Sequence, residues 1–174
     1  MSFHKIARTR PLLALIVSAA LSGAIAACGF QPLHSRIGGA EATRLAGVLI
    51  LPISNREGQI LSNLLRDRMT PLGPPRKPVY RLSIKLTESQ QSLGIQVDES
   101  ATRANLKMVA VFHLRSAQGD KALFSGNAQS TSSFNILDSS FATLSAEKDA
   151  RVRSLRQIAD QIKSRVSIFI GRTG

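Results

Sequence analysis

The stretch Tyr80-Arg81-Leu82-Ser83-Ile84-Lys85-Leu86-Thr87 alternates apolar and polar residues without a break. Successive side chains of a β-strand point to opposite faces of a sheet, so this pattern predicts a strand with one buried and one solvated face. The same alternation recurs from Leu106 to Leu114 and from Ala122 to Ile136. We therefore predict three consecutive strands that share an apolar face.

The segments on either side of these strands predict one further strand and two helices. The wholly apolar run 48–51 is typical of a strand covered on both faces. Residues 54–57 have the capping-box pattern, and the apolar positions of 60–69 form one helical stripe. A longer amphipathic helix is predicted from about residue 140 to 170, with Gly171 as its C-terminal stop.

This order of elements, β-α-β-β-β-α, predicts an α+β fold. Its expected form is a two-layer sandwich, in which both helices pack on one face of a four-stranded, mostly antiparallel (mixed) sheet. The apolar phase of the second strand moves to odd positions at Leu93 and Ile95. We therefore also predict a β-bulge near Gly94.

The beginning of the sequence is typical of an export signal. Basic residues precede an apolar segment of about 15 residues at 11–25, which is shorter than the roughly 20 residues of a membrane span. Ala26 and Ala27 then lead directly to Cys28, and this arrangement resembles the lipobox of bacterial lipoproteins. We expect cleavage of residues 1–27, a lipidated tether at 28–43 and a single domain at 44–174. An ordinary secretory signal with a chance cysteine is the alternative.

The chain is strongly basic, with 23 Lys and Arg against 11 Asp and Glu. Such a charge favours an anionic partner, for example nucleic acid, phospholipid or lipopolysaccharide. Export argues against nucleic acid, so we expect anionic lipid, although a generic basic surface that aids solubility is an alternative. Cys28 is the single cysteine, so we expect no internal disulfide.

The polar side of the predicted sheet carries the candidate binding residues. Guanidinium and ammonium groups there could hold the phosphates of a lipid headgroup. The candidates for contact with lipopolysaccharide are Arg81, Lys85, Arg103, Lys107, Arg115 and Lys121. The alternative is that these charges only prevent aggregation between sheet edges.

The sequence predicts neither a catalytic nor a metal site. Downstream of the signal, His34 and His113 have no carboxylate at an obvious partner spacing, and Glu147 with Arg151 fits an i,i+4 helix pair. GxSxG, HExxH and phosphate-binding glycine motifs are absent from the sequence. We therefore expect a protein that is not an enzyme and binds no cofactor besides the lipid on Cys28. A lipid-tethered periplasmic hydrolase is an alternative class of protein.

Several short motifs, taken in order, resemble the lipopolysaccharide-assembly lipoproteins of the LptE family. They are Cys28-Gly29-Phe30-Gln31-Pro32-Leu33, Asn55-Arg56-Glu57-Gly58, Ala101-Thr102-Arg103, Ser133-Phe134-Asn135, Phe141-Ala142-Thr143-Leu144 and Ala146-Glu147-Lys148-Asp149-Ala150. The chain departs from many relatives at His34, Phe134 and Phe141, where tyrosine is expected.

The resemblance implies an outer-membrane lipoprotein on the periplasmic face, and Gly29 after the cysteine is compatible with that location. It also implies that the protein sits inside the large barrel LptD, helps it to assemble and takes part in delivering lipopolysaccharide to the cell surface. The expected partners are an LptD-type outer-membrane barrel, lipopolysaccharide and, through the lipid anchor, the membrane. An auxiliary lipoprotein of an envelope phospholipid transporter is the alternative.

Overall fold

The computed structural model describes residues 44–95 and 101–173. The predicted order of elements is confirmed: β1 (Val48–Ile50), α1 (Asn55–Met69), β2 (Tyr80–Ile95), β3 (Ala101–Ser116), β4 (Ala122–Asn135) and α2 (Ser140–Thr173). The predictions for the signal segment, Cys28, the tether and His34 lie outside the described residues.

The four strands form one mixed sheet in the order β1-β2-β3-β4. β1 is parallel to β2, with Val48 opposite Tyr80, because α1 crosses over between these two strands. β2, β3 and β4 are antiparallel to their neighbours. The predicted mixed α+β architecture is therefore confirmed.

The predicted bulge near Gly94 is wrong. β2 and β3 keep one register from Tyr80, opposite Ser116, to Ile95, opposite Ala101. Residues 87–93 of β2 are all exposed, so neither face of this segment has to be apolar. The shift of apolar residues to odd positions therefore does not indicate a change in the pairing of β2 with β3. An irregularity in the ladder lies instead between β3 and β4, at Leu114 and Arg115.

The core lies between the sheet and the two helices, and β3 shows this best. Its even-numbered residues from Ala104 to Leu114 are buried, whereas none of its described odd-numbered residues is. Phe112 meets Phe124 edge to face at 5.8 Å between ring centroids, and Phe124 stacks on Phe169 of α2 at 5.0 Å. A Cβ on Gly126 would lie 2.7 Å from the Phe112 ring, so the glycine makes room for the phenylalanine.

The start of α1 explains the sequence Asn55-Arg56-Glu57-Gly58. Ser54 is the N-cap residue as predicted, but its side chain makes no capping hydrogen bond. Asn55 follows at φ 73°, in the left-handed region that asparagine tolerates better than most residues. A Cβ on Gly58 would lie 2.7 Å from the Ile53 side chain. Backbone conformation and close packing therefore account for the asparagine and the glycine.

The strands of the sheet run between two ends of the domain. We call the end with Val48, Tyr80 and Ser116 the proximal end, and the end with Ile95 and Asn135 the distal end.

α2 runs antiparallel to β4 for about 50 Å, which matches the length of a 16-residue strand. It continues through Gly171 to Thr173, so the predicted stop at Gly171 is wrong by two residues. Within 44–95 and 101–173, no helix combines the length and apolar character of a membrane span.

Candidate functional site

The sheet face turned away from the helices, the open face, consists of the odd-numbered residues 81–93, 103–115 and 125–135. Strand alternation places these side chains opposite the buried even-numbered ones. These positions hold no Asp or Glu. The open face includes five of the candidate residues, namely Arg81, Lys85, Arg103, Lys107 and Arg115. Lys121 lies just before β4, at the proximal end.

The register of β2 and β3 spaces these cations evenly along the sheet. The cross-strand pairs concerned are Arg81 with Arg115, Lys85 with Val111, Ser89 with Lys107, and Leu93 with Arg103. Each pair is four residues from the next, or about 13 Å, so the row covers about 40 Å. The candidates therefore form a row of positive charge rather than a pocket, and only Arg81 and Arg115 are direct neighbours.

The Arg81–Arg115 pair is electrostatically unfavourable as it stands, because like charges directly opposite each other repel. Arg81 Nη2 donates to the carbonyl oxygen of Ala117 at 2.7 Å, and Arg115 Nη1 donates to Asp120 Oδ1 at 3.2 Å. The Nε atom of each arginine is buried and has no hydrogen-bond acceptor among the described residues. A bound anion would reduce the repulsion between the two guanidinium groups.

The middle of the open face is partly apolar. Val109 and Val111 lie between Lys85 and Lys107 along the face, and Val111 is 41% exposed. On the β4 side they adjoin Gln129 and Asn127, which are uncharged. The open face thus combines positive charge with a small accessible apolar patch.

His113 is the titratable open-face residue that the sequence left without a partner. It is half-buried, and its Nδ1 lies 2.8 Å from Ser125 Oγ on β4. A histidine beside a serine is part of a nucleophilic triad, but no carboxylate among the open-face positions orients this imidazole. The described residues also contain no cluster of three or more metal-ligating side chains.

A charged cluster on the helix side was only partly predictable. Arg151 Nη2 donates to Glu147 Oε1 at 2.6 Å, as the i,i+4 spacing predicted, and also to Glu88 Oε1 of β2 at 2.8 Å. Its Nε lies 3.9 Å from Glu57 Oε1 of α1. The hydrogen bond to Glu88, with help from Glu147, raises the pKa of Arg151 above its ordinary value despite partial burial. This cluster ties both helices to the sheet.

The outer edge of β4 is closed by side chains of α2. Gln161 Nε2 donates to the carbonyl oxygen of Gln129 at 2.9 Å, and Gln161 Oε1 accepts from the Gln129 amide at 3.2 Å. Arg165 Nη1 donates to the carbonyl oxygen of Asn127. A glutamine amide thus replaces a neighbouring strand and protects this edge from pairing with another chain.

A family model described as LptE, lipopolysaccharide-assembly, matches residues 45–166. No curated protein is similar enough in sequence to count as a match.

Solved structures of bacterial lipoproteins share the fold. One from Caulobacter crescentus CB15 has a TM-score of 0.62 at 17% identity, and the match covers 75% of this chain and 96% of the other. The rare lipoprotein B from Shewanella oneidensis has a TM-score of 0.58 at 14% identity, covering 73% and 98%. A minor lipoprotein from Acinetobacter baumannii has a TM-score of 0.58 at 18% identity, covering 71% and 92%.

Proposed function

Because this chain belongs to the LptE family of lipopolysaccharide-assembly lipoproteins, we propose that it occupies the lumen of an LptD-type barrel in the outer membrane. There it helps the barrel to assemble and takes part in moving lipopolysaccharide to the outer leaflet. Cys28 carries the lipid that holds the protein on the periplasmic face of that membrane.

The observation that carries this proposal is the composition of the open face, which holds five cations and no carboxylate among its described positions. Lipopolysaccharide presents phosphates beside acyl chains. The cation row offers charge-assisted hydrogen bonds to the phosphates, and Val109 with Val111 offers apolar contact. Arg81 and Arg115 are direct neighbours, so the proximal end is where the row brings two guanidinium groups together.

The β4 side of the open face supports the barrel part of the proposal. From Ser125 to Asn135 its odd-numbered residues are uncharged Ser, Asn, Gln and Thr. The lumen of a large outer-membrane barrel is polar, so a protein that fills it needs a polar outer surface. We assign the β4 side to the barrel wall and the β2–β3 side to lipopolysaccharide. Both tasks need binding and no bond chemistry, in keeping with a non-catalytic family.

Charge reversal tests the lipid-binding part. The variant combines Arg81→Glu, Lys85→Glu and Lys107→Glu, and the matched control combines Lys148→Glu, Arg156→Glu and Lys163→Glu on α2. A cation near an anionic lipid surface contributes about 1 kcal/mol, so the open-face variant should bind purified lipopolysaccharide at least ~100-fold more weakly. The α2 variant has the same net charge and should bind much more tightly. Equal affinities for the two variants would contradict the assignment of the site.

Affinity capture tests the partner. The lipidated protein is isolated from envelopes under mild detergent, and the stoichiometric companion is identified. We expect an outer-membrane barrel, and the open-face variant should still recover it because the β4 side is unchanged. Recovery of an inner-membrane transporter, or of the protein alone, would contradict the proposed role.

A further inference from the structure

The proximal end of the domain carries an exposed apolar tip surrounded by cations. We define the proximal tip as Leu72, Arg76, Lys77, Val79 and Lys121. Leu72 is 100% exposed and Val79 is 57% exposed. We propose that the proximal tip docks on the anionic surface of the bilayer that holds the lipid anchor, with Leu72 inserted below the phosphates. This inference rests on lipidation at Cys28 and concerns the anchored protein before it enters a barrel, so it does not depend on the transport function.

Leu72 is held outward by a braced turn and not by a loose loop. The amide of Gly73 donates to the carbonyl oxygen of Thr70 at 2.9 Å, and Gly73 has φ +100°, which a side chain would strain. Pro71 precedes Leu72, and Pro74 with Pro75 lines a cleft against β1. Prolines restrict the backbone, so the loop loses little conformational entropy when Leu72 is buried in another phase.

The loop and the β3–β4 turn belong to one surface. The amide of Val79 donates to the carbonyl oxygen of Gly47 at 2.9 Å. The carbonyl oxygen of Val79 in turn accepts from the amide of Ala117 at 2.9 Å. These bonds fix the α1–β2 loop beside both the start of the domain and the turn that leads to Lys121. The apolar and basic residues of the tip therefore lie at the same end of the domain.

The charge of the tip favours a phosphate-bearing surface. Arg76, Lys77 and Lys121 are exposed, and none of them has a salt bridge among the described residues. The nearby carboxylate of Asp120 is already paired with Arg115. An apolar side chain between cations is the arrangement by which peripheral proteins enter the headgroup region of anionic membranes.

The described part of the chain begins at the proximal end and not at the distal one. The described chain enters the fold at Arg44 and begins β1 at the proximal end. The 15 residues between Cys28 and Arg44 let these two residues lie up to about 55 Å apart, which is ample for contact between the tip and the headgroups. The exposed apolar residues Phe141 and Leu144 lie at the distal end, about 50 Å further along the sheet.

The single cysteine makes the test direct. When Cys28 carries lipid, Leu72→Cys introduces the one free thiol of the mature chain, and an environment-sensitive fluorophore can be attached to it. Leu144→Cys at the distal end is the matched control, since Leu144 is also an exposed leucine. The unsubstituted lipidated protein should take up no label. If it does, lipidation at Cys28 fails, and the inference fails with it.

Each lipidated, labelled protein is reconstituted into vesicles of phosphatidylcholine with or without phosphatidylglycerol. The emission of the probe at position 72 should shift to the blue, and quenchers on the acyl chains should quench it. Both effects should grow with the phosphatidylglycerol content and weaken with added salt. The probe at position 144 should keep its aqueous emission. Arg76→Glu with Lys77→Glu, added to Leu72→Cys, should lower the ratio of docked to free tip by at least ~20-fold. Equal quenching at both positions, or no effect of phosphatidylglycerol, would overturn the inference.

Discussion

The two faces of the sheet obey different rules, and β3 shows both in one strand. Its even-numbered residues from Ala104 to Leu114 are buried against the helices, and Phe112 among them is fitted to Gly126 and Phe124 of β4. Its odd-numbered residues have no covering layer among the described elements. Packing therefore explains the covered face, whereas the open face is free of packing demands.

The open face even accepts arrangements that a purely structural surface would avoid. Arg81 and Arg115 are placed side by side, each with a buried Nε that lacks an acceptor. Those features cost stability in the unbound protein. The covered face shows the opposite: its one buried phenylalanine of β3 is accommodated by a glycine on the neighbouring strand.

The largest expected effect separates two adjacent residues of β3. Phe112→Ala should lower the free energy of unfolding by about 4 kcal/mol, because it removes a fully buried ring and leaves a cavity. Val111→Ala, one residue away on the open face, should cost less than ~1 kcal/mol. Urea unfolding followed by circular dichroism measures both. Similar costs at the two positions would remove the distinction between the faces.

The second prediction tests the fit between Phe112 and Gly126. Gly126→Ala should lower the free energy of unfolding by about 2 kcal/mol, because the added Cβ would overlap the Phe112 ring. Phe112→Leu in the same chain should recover part of that loss, since the smaller side chain leaves space for the methyl group. A double-mutant cycle of unfolding free energies measures the coupling. Strictly additive effects would show that the two residues do not constrain each other.

The third prediction concerns the ion cluster on the covered side. Arg151→Ala should cost about 2 kcal/mol, because it leaves Glu88 and Glu147 without their hydrogen-bond donor. Arg153→Ala is the control and should cost less than ~0.5 kcal/mol, since Arg153 forms one exposed helix pair, with Asp149. Chemical denaturation of both variants makes the comparison.

The pH dependence of the Arg151 contribution has a definite sign. The folded-state pKa of Arg151 is raised above its ordinary value, so its stabilisation is fully present from neutral pH up to that ordinary value and is lost only as the pH rises through the folded-state pKa. The difference in stability between the wild type and Arg151→Ala should therefore not decrease from neutral to moderately alkaline pH. A loss of that difference in this range would contradict the cluster geometry.

The sequence predicted face membership well, because alternation alone decides it. Arg81, Lys85, Lys107 and Arg115 were assigned to the polar side from the period of two, and the structure confirms that placement. Their even spacing was not predictable. It depends on which residue of β3 lies opposite which residue of β2, and a shift of the turn between the strands would change every pair.

Long-range contacts set the other limit of the sequence analysis. The Glu147–Arg151 pair follows from helix spacing, but Arg151 and Glu88 are 63 residues apart, and no local pattern joins them. The prediction of a bulge near Gly94 was wrong. Alternation indicates which residues are buried, and the distal part of β2 is exposed on both faces, so its pattern of apolar residues does not indicate how the strands pair. Local periodicity thus predicts elements and faces, while register and inter-element ion pairs require the assembled fold.

The smallest expected effect is the sharpest statement about the open face. Lys85→Ser combined with Lys107→Thr should change the free energy of unfolding by less than about 0.5 kcal/mol, because both side chains are exposed and neither has a hydrogen-bond or ion-pair partner among the described residues. Leu106→Ser, one residue from Lys107 on the covered face, should instead lower the free energy of unfolding by about 3 kcal/mol, because it places a hydroxyl without a partner in the core. Thermal unfolding measures both, and lipopolysaccharide binding by the double variant supplies the second readout. If the lysines act in binding, the double variant should keep its stability and bind lipopolysaccharide more weakly. A large loss of stability in the double variant would mean that these lysines stabilise the fold.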